Sequence, residues 1–197
     1  MSVIERLLRR DTDGAELIGQ VSIEPMQRRD LRRGVMAIEA VSYPKPWSQS
    51  VFESELAQVR SGARRYLVAR RPNRGGRGRG RIVGYAGLWF NVAEAHVTNV
   101  AVLPDEQRSG VATALLLALA EATIERGDEA WTLEVRVSAT GAQELYRRFG
   151  FTPAGVRARY YENTEDAIVM WCNDIQGGDY RVLLDSIRAD LERRSAS

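Results

Sequence analysis

The sequence has few of the residues that most often carry catalysis or metal binding. Its 197 residues include a single cysteine, Cys172, and a single histidine, His96. One cysteine excludes an intrachain disulfide, and one residue of each type cannot build a Cys/His zinc cluster, so no metal site is predicted. The chain has no GxSxG turn, which disfavours a Ser/His/Asp triad. Both residues are therefore interpreted as structural, and the chemistry is expected to proceed without histidine near the site.

Long hydrophobic runs and an excess of one charge are also missing. The longest apolar run, residues 111–120, is about half of the roughly 20 residues that cross a bilayer. The N-terminal sequence MSVIERLLRR lacks the apolar centre of a signal peptide. The 28 basic and 26 acidic residues leave a net charge of +2, too small for a strong overall field. We therefore expect a cytoplasmic protein that binds neither membranes nor nucleic acid directly.

The order of the predicted elements indicates one mixed domain. Alternating apolar positions predict strands, and apolar residues three or four apart predict helices. The two kinds intermix without strict alternation, which is typical of an α+β (mixed α/β) fold. We divide the chain into an N-terminal extension (1–20), a central domain (21–174) and a C-terminal amphipathic helix (175–197). Within the domain, Asp30 and Ser48 are predicted to cap two helices.

A glycine- and arginine-rich segment, RGGRGRG at residues 74–80, separates two predicted strands. One interpretation is an RNA-binding arm. The interpretation that we favour is a solvated hairpin loop, because the segment is short and no aromatic residue interleaves it.

The junction NVAVLPDEQRSGVATALL joins a predicted strand to the best predicted helix. Gly110 and the small residues Ala112 and Thr113 leave backbone N–H groups accessible at the start of that helix. Such groups lack intrahelical partners and carry the positive end of the helix dipole, so they suit a phosphate. The spacing matches neither GxxxxGK[ST] nor GxGxxG, which disfavours ATP and NAD. The alternative is that Gly110 forms only a tight turn.

The sequence QRSGVA at this junction resembles the Q/RxxGxG/A signature of the GCN5-related N-acetyltransferases. Four further segments follow the order of the RimI branch of that family: PWS at 46–48, LEVR at 133–136, LYRRFGF at 145–151, and RYY with EDAIVM between 159 and 170. The resemblance spans residues 21–172 and implies a splayed, mixed but mostly antiparallel sheet, with acetyl-CoA as co-substrate. The cofactor-binding residues that it implies are Asn99, Val100, Ala101 and Val102 for the pantetheine arm, and Gln107, Arg108, Ser109, Gly110, Val111, Ala112 and Thr113 for the pyrophosphate.

The same resemblance implies the catalytic roles. Transfer from a thioester to an amine needs a neutral amine, a path for its proton and a proton donor to the departing thiolate. Glu134 resembles the general base of the RimI branch, acting through water, and Tyr146 resembles its general acid, because a phenol can donate while staying neutral. The alternatives are an exposed or ion-paired Glu134 and a core Tyr146. Ala139 stands where the branch usually has asparagine, so cofactor affinity is expected to be weaker.

The acceptor site is assigned to aromatic residues beside an acidic cluster, which together suit an extended, basic peptide. The predicted substrate-binding residues are Pro46, Trp47, Tyr160 and Tyr161, next to the carboxylates of Glu162, Glu165 and Asp166. The resemblance implies that the acceptor is a protein N-terminus, namely the N-terminal alanine of the eighteenth small-subunit ribosomal protein. The alternatives are the same fold acting on a lysine side chain or a small-molecule amine, and a non-catalytic acyl-CoA- or RNA-binding module.

Overall fold

The computed structural model describes residues 16–73 and 79–196. Residues 1–15 of the N-terminal extension and residues 74–78 of the glycine- and arginine-rich segment lie outside the described residues, as does Ser197. Within the described part, eight strands form one sheet and five helices pack on it. No helix in these ranges is both long and apolar enough to cross a membrane.

The strands and helices follow the order that the hydrophobic periodicity predicts. The strands are β1 (Glu16–Ile18), β2 (Val21–Pro25), β3 (Arg64–Arg71), β4 (Arg81–Phe90), β5 (Glu94–Val102), β6 (Ala130–Arg136), β7 (Thr152–Tyr161) and β8 (Glu165–Cys172). The helices are α1 (in three pieces, Arg28–Asp30, Leu31–Val35 and Met36–Ser42), α2 (Gln49–Ala57), α3 (Val111–Arg126), α4 (Thr140–Arg148) and α5 (Gly178–Ala196). A short 3-10 turn, Pro104–Glu106, precedes α3.

The sheet opens along one seam. Its strand order is β1-β2-β3-β4-β5-β6-β8-β7, and every neighbouring pair is antiparallel except β5 and β6, which run parallel. The pairing of β5 with β6 stops at Val97 and Leu133, although β5 continues to Val102 and β6 to Arg136. The far halves of the two strands therefore separate, and the β6 side of β5 is open from residue 98 onward. This confirms the splayed, mostly antiparallel sheet.

Helix α1 differs from its prediction at the start and in the middle. Asp30 was predicted as the N-cap, but the helix begins at Arg28, and the Asp30 carboxylate accepts the backbone N–H of Gln27 at 2.9 Å. The middle piece is π-helical, and Gly34 leaves helical geometry there. A methyl group on Gly34 would lie 2.8 Å from Cβ of Ile82. The close approach of α1 to β4 therefore requires glycine, which interrupts the regular helix.

The two faces of the sheet carry separate apolar clusters. Helices α3, α4 and α5 contribute to the larger cluster, and α1 and α2 contribute to the smaller one. Helix α3 is apolar on most sides because the sheet and α5 both cover it. The helix ends at Gly127, which has a positive φ of 87°.

Both segments assigned to the chain ends contact this core. Strand β1, which falls within the predicted extension 1–20, pairs antiparallel with β2. The predicted C-terminal helix is present as α5, and it buries Tyr180, Leu184, Ile187 and Leu191 in the larger cluster. The apolar spacing that predicted the helix is thus also the face that packs.

Candidate active site

The open seam leaves one backbone edge unpaired along the residues predicted to hold the pantetheine arm. Asn99, Ala101 and Val102 are buried and Val100 is half-buried, and their β6-side backbone lies beyond the last paired residue, Val97. An extended amide chain can pair with such an edge as a further strand would. The geometry therefore agrees with the predicted placement of these four residues.

An anion-binding nest lies next to the seam. Arg108 has a φ of 61° and Gly110 a φ of 90°. Left-handed residues within a turn direct successive N–H groups into one concavity, which binds anions. The left-handed conformation is unusual for arginine and costs of order 1–3 kcal/mol, so the surrounding loop holds it in place. The tight-turn alternative for Gly110 agrees with this geometry, and anion binding by the same turn stays a prediction.

A cavity of about 640 Å³ covers the nest. Six of the residues predicted for pyrophosphate binding line it: Gln107, Arg108, Ser109, Gly110, Ala112 and Thr113. The seventh, Val111, is not among its lining residues. It is buried, and its Cγ1 lies 3.0 Å from the position that a methyl group on Gly84 would take. The cavity also includes Arg148 of α4 and Arg194 of α5, which the sequence did not indicate.

Glu134 lies where β6 leaves β5, and its carboxylate contacts His96 and Arg157. Its carboxylate lies 3.0 Å from Nε2 of His96 and 3.0 Å from Nη1 of Arg157. The hydrogen bond from His96 lowers the pKa of Glu134, against the desolvation that its burial causes, and the charge of Arg157 adds to the lowering. The side chain is only 7% exposed. Glu134 is therefore an ion-paired carboxylate, and it also lines a second cavity.

The expectation that no histidine lies near the site is wrong. His96 contacts Glu134 through Nε2, and its Nδ1 lies 2.8 Å from Oγ1 of Thr132. In the parallel register, His96 is the partner of Thr132, two residues before Glu134 on the same face of β6. In the sequence, the neighbours of His96 are not residues with catalytic side chains, so nothing local pointed to its contact with Glu134. Only the β5–β6 register brings it to the carboxylate.

Three phenols lie near one another where β5 and β6 separate. Tyr146 of α4 is buried, and burial together with nearby Tyr161 raises its pKa, so the phenol stays protonated. The hydroxyl of Tyr161 donates to the backbone carbonyl of Glu134 at 3.0 Å. Tyr43, at the end of α1, donates to the carbonyl of Val100 at 3.0 Å, and burial raises its pKa too. Tyr146 is both a core residue and a member of this group.

The second cavity, of about 280 Å³, adjoins Glu134, and we call it the acceptor cavity. Among the predicted substrate-binding residues, Trp47, Tyr160 and Tyr161 line it, whereas Pro46 is exposed and is not a lining residue. The backbone N–H of Trp47 donates to the buried carboxylate of Glu39 at 2.7 Å. That contact fixes the PWS segment at the mouth of the cavity.

The acidic cluster is engaged within the protein rather than facing a peptide. Glu162 and Glu165 pair with Arg136 at 2.8 and 2.9 Å. Hydrogen bonds from Ser138 lower the pKa of Glu165 to about 2, and the Asp166 carboxylate accepts the backbone N–H of Arg159 at 2.7 Å. The interpretation that these carboxylates attract a basic peptide is therefore not supported by their contacts. They join β6 to the β7–β8 hairpin.

An open seam between β5 and β6, a turn with two left-handed residues before α3 and a buried carboxylate beside a second cavity are the features that an acyltransferase of the mixed α/β class needs. The chain belongs to the acetyltransferase (GNAT) family, which it matches over residues 32–151. This family uses acetyl-CoA. No cluster of metal-ligating side chains is present in the part of the chain that the structure describes.

Individual relatives cover most of the chain. A Bacillus subtilis (strain 168) protein is 33% identical over 153 residues, 77% of this chain and 95% of its own. The [ribosomal protein bS18]-alanine N-acetyltransferase of Escherichia coli (strain K12) is 36% identical over 136 residues, 68% of this chain and 84% of its own. The crystal structure of the Escherichia coli ribosomal-protein-S18-alanine N-acetyltransferase superposes with a TM-score of 0.65 at 31% identity, covering 81% of this chain and 97% of that one.

Proposed function

We propose that the chain transfers the acetyl group of acetyl-CoA to the α-amine of a protein N-terminus. The observation that carries the proposal is the position of Glu134, which faces the acceptor cavity where the β5–β6 seam opens. The names of the relatives support a ribosomal protein as the acceptor, namely the N-terminal alanine of bS18.

In the proposed mechanism, Glu134 receives the proton that the amine loses. A carboxylate whose pKa is lowered by His96 and Arg157 is a weak base, so a water molecule carries the proton between the amine and Oε1 or Oε2. The amine nitrogen forms the new C–N bond as the C–S bond of the thioester breaks. His96 holds the carboxylate toward the cavity, and the carbonyl of Glu134 is fixed by Tyr161.

Tyr146 supplies a proton to the departing thiolate in this proposal. Its raised pKa keeps the hydroxyl protonated at neutral pH, and a buried donor stabilises a developing anion more than an exposed one does. Acetyl-CoA itself supplies the activated acyl group and a good leaving group. The protein therefore needs few catalytic side chains, in agreement with its single histidine and single cysteine.

The acceptor is tested with two peptides incubated with acetyl-CoA and followed by mass spectrometry. One begins with the N-terminal sequence of bS18, and the other has a blocked N-terminus and one internal lysine. We expect acetylation of the first at its α-amine and little of the second. Acetylation of the lysine peptide alone would show that the acceptor class is wrong, and a small polyamine run in parallel tests the small-molecule alternative.

A further inference from the structure

We propose that the last two turns of α5 form a cofactor-binding wall, in which Arg194 contacts the 3′-phosphate of coenzyme A. The inference rests on the proposed use of acetyl-CoA. Helix α5 begins at Gly178, beyond the family match, which ends at residue 151. The wall therefore lies outside the part of the chain that the family model matches.

Leu191 closes the side of the nest. A methyl group placed on Gly110 would lie 2.3 Å from Cδ1 of Leu191, and one on Gly19 would lie 3.2 Å from its Cγ. Two glycines with positive φ thus allow α5 to sit directly on the loop that starts α3, at Gly110, and on the turn between β1 and β2, at Gly19. Leu191 is 6% exposed, so the contact is dry and fixes the distance between the helix and the nest.

A chain of hydrogen bonds ties the end of α5 to the same loop. Nε2 of Gln20 donates to the carbonyl of Ser195 at 2.9 Å, and Arg71 donates to Oε1 of Gln20 at 3.0 Å. The same guanidinium donates to Oγ of Ser109 at 2.9 Å. Ser109 lines the nest cavity, so the position of α5 and that of the nest are linked through side chains on both sides.

Helix α5 is also anchored farther from the cavity. The buried guanidinium of Arg188 pairs with Glu16 of β1 at 3.3 Å and with Glu121 of α3. Tyr180, Leu184 and Ile187 occupy the core. The helix is therefore held as part of the domain, and its final turns present a fixed surface to the cavity.

The charge of the cavity suits a ligand with several phosphates. Arg108, Arg148 and Arg194 line it, and its lining carboxylate, Glu106, is paired with Arg71 at 2.9 Å. The nest accounts for the pyrophosphate, because backbone N–H groups bind it without a side chain. Coenzyme A carries one further phosphate, on the ribose 3′ position. Arg194 lines this cavity on the α5 wall, and we assign the extra phosphate to it.

The test compares binding of coenzyme A and 3′-dephospho-coenzyme A by isothermal titration calorimetry, using the full chain and Arg194→Ala. The control is Arg193→Ala, a neighbouring arginine that is 72% exposed, pairs with Asp190 and is not a cavity-lining residue. A charge-assisted contact to phosphate predicts about a tenfold loss of coenzyme A affinity in Arg194→Ala. The affinity for the dephospho compound should stay the same, and Arg193→Ala should bind both as the unmodified chain does.

The outcomes separate the two proposals. Equal losses for both ligands, or no loss, would overturn the role of Arg194 while leaving acetyl-CoA use intact. The same effect in Arg193→Ala would show that general charge is responsible and would also overturn it. If the unmodified chain binds neither ligand, the proposed function itself fails.

Discussion

Replacing Gly110 by alanine tests how closely α5 is packed on the nest. The substitution has two separable costs. Alanine at a φ of 90° is strained by about 1–2 kcal/mol. Its methyl group would also come within 2.3 Å of Leu191 Cδ1, and such overpacking typically costs about 1–3 kcal/mol. We therefore expect Gly110→Ala to lower the free energy of unfolding by about 2–5 kcal/mol in total.

The other end of α3 provides a matched control. Gly127 has a φ of 87°, and a methyl group there would meet nothing within 4 Å. Gly127→Ala should therefore show the strain alone, about 1–2 kcal/mol. The difference between the two variants measures the contact with Leu191.

Leu191→Ala, alone and combined with Gly110→Ala, separates the cost of the contact from the cost of the backbone strain. Leu191→Ala alone should cost about 2–5 kcal/mol, because it removes a buried side chain. Combined with Gly110→Ala, it opens space for the new methyl group, so the double variant should be more stable than the sum of the two by about 1–3 kcal/mol. Urea unfolding of all four variants measures this. Strict additivity, or equal losses in Gly110→Ala and Gly127→Ala, would refute the packing of α5 on the nest.

Three further perturbations address the site and the anchoring of α5. Tyr146→Phe should lower kcat by about 10²–10⁴-fold, because it removes the proton donor, while the Kd for acetyl-CoA stays the same; an unchanged kcat would remove Tyr146 from catalysis. His96→Ala takes away the main cause of the lowered pKa of Glu134, so that pKa rises; the acid limb of the kcat/KM profile then keeps its upper step, which the amine sets, while its lower step, which Glu134 sets, moves to higher pH, and a lower step that does not move would count against Glu134 as the proton acceptor. Arg188→Ala removes the buried guanidinium that bridges Glu16 and Glu121 and should cost about 1.5–3 kcal/mol, measured by urea unfolding; a loss below 1 kcal/mol would show that α5 is anchored by its apolar face alone.

Local sequence signals predicted the elements well, because they depend on neighbours along the chain. Ser48 caps α2 as expected, accepting the N–H of Val51, and Gly110 and Gly127 bound α3 at its two ends. The prediction of helix α1 was less accurate. Its π-helical turn depends on the contact between Gly34 and Ile82, which lie 48 positions apart and share no local pattern.

Contacts within the site depend on register and were therefore missed. His96 reaches Glu134 because β5 and β6 run parallel from Glu94 opposite Ala130, and a shift of one residue would turn His96 to the other face. Arg136 was part of the LEVR segment, but its pairing with Glu162 and Glu165 needs β8 beside β6. The acidic pattern in the sequence could not show that these carboxylates already have partners within the protein. A resemblance transfers residue types in order, whereas the charge balance of a site depends on which strands meet.

The paired state of Glu134 also bears on the choice of acceptor. Because His96 and Arg157 hold its pKa low, the carboxylate cannot remove a proton efficiently from an ammonium group, and the reaction depends on amine that is already neutral. The pKa of an α-amine is about 7.8 and that of lysine about 10.4, a difference of about 2.6 units or about 3.5 kcal/mol. The α-amine therefore has an advantage before any contact is made with the acceptor cavity. To acetylate lysine equally well, the site would have to offset that difference by desolvating the ammonium group, yet the carboxylates of Glu39 and Glu134 line the same cavity and would favour its charged form.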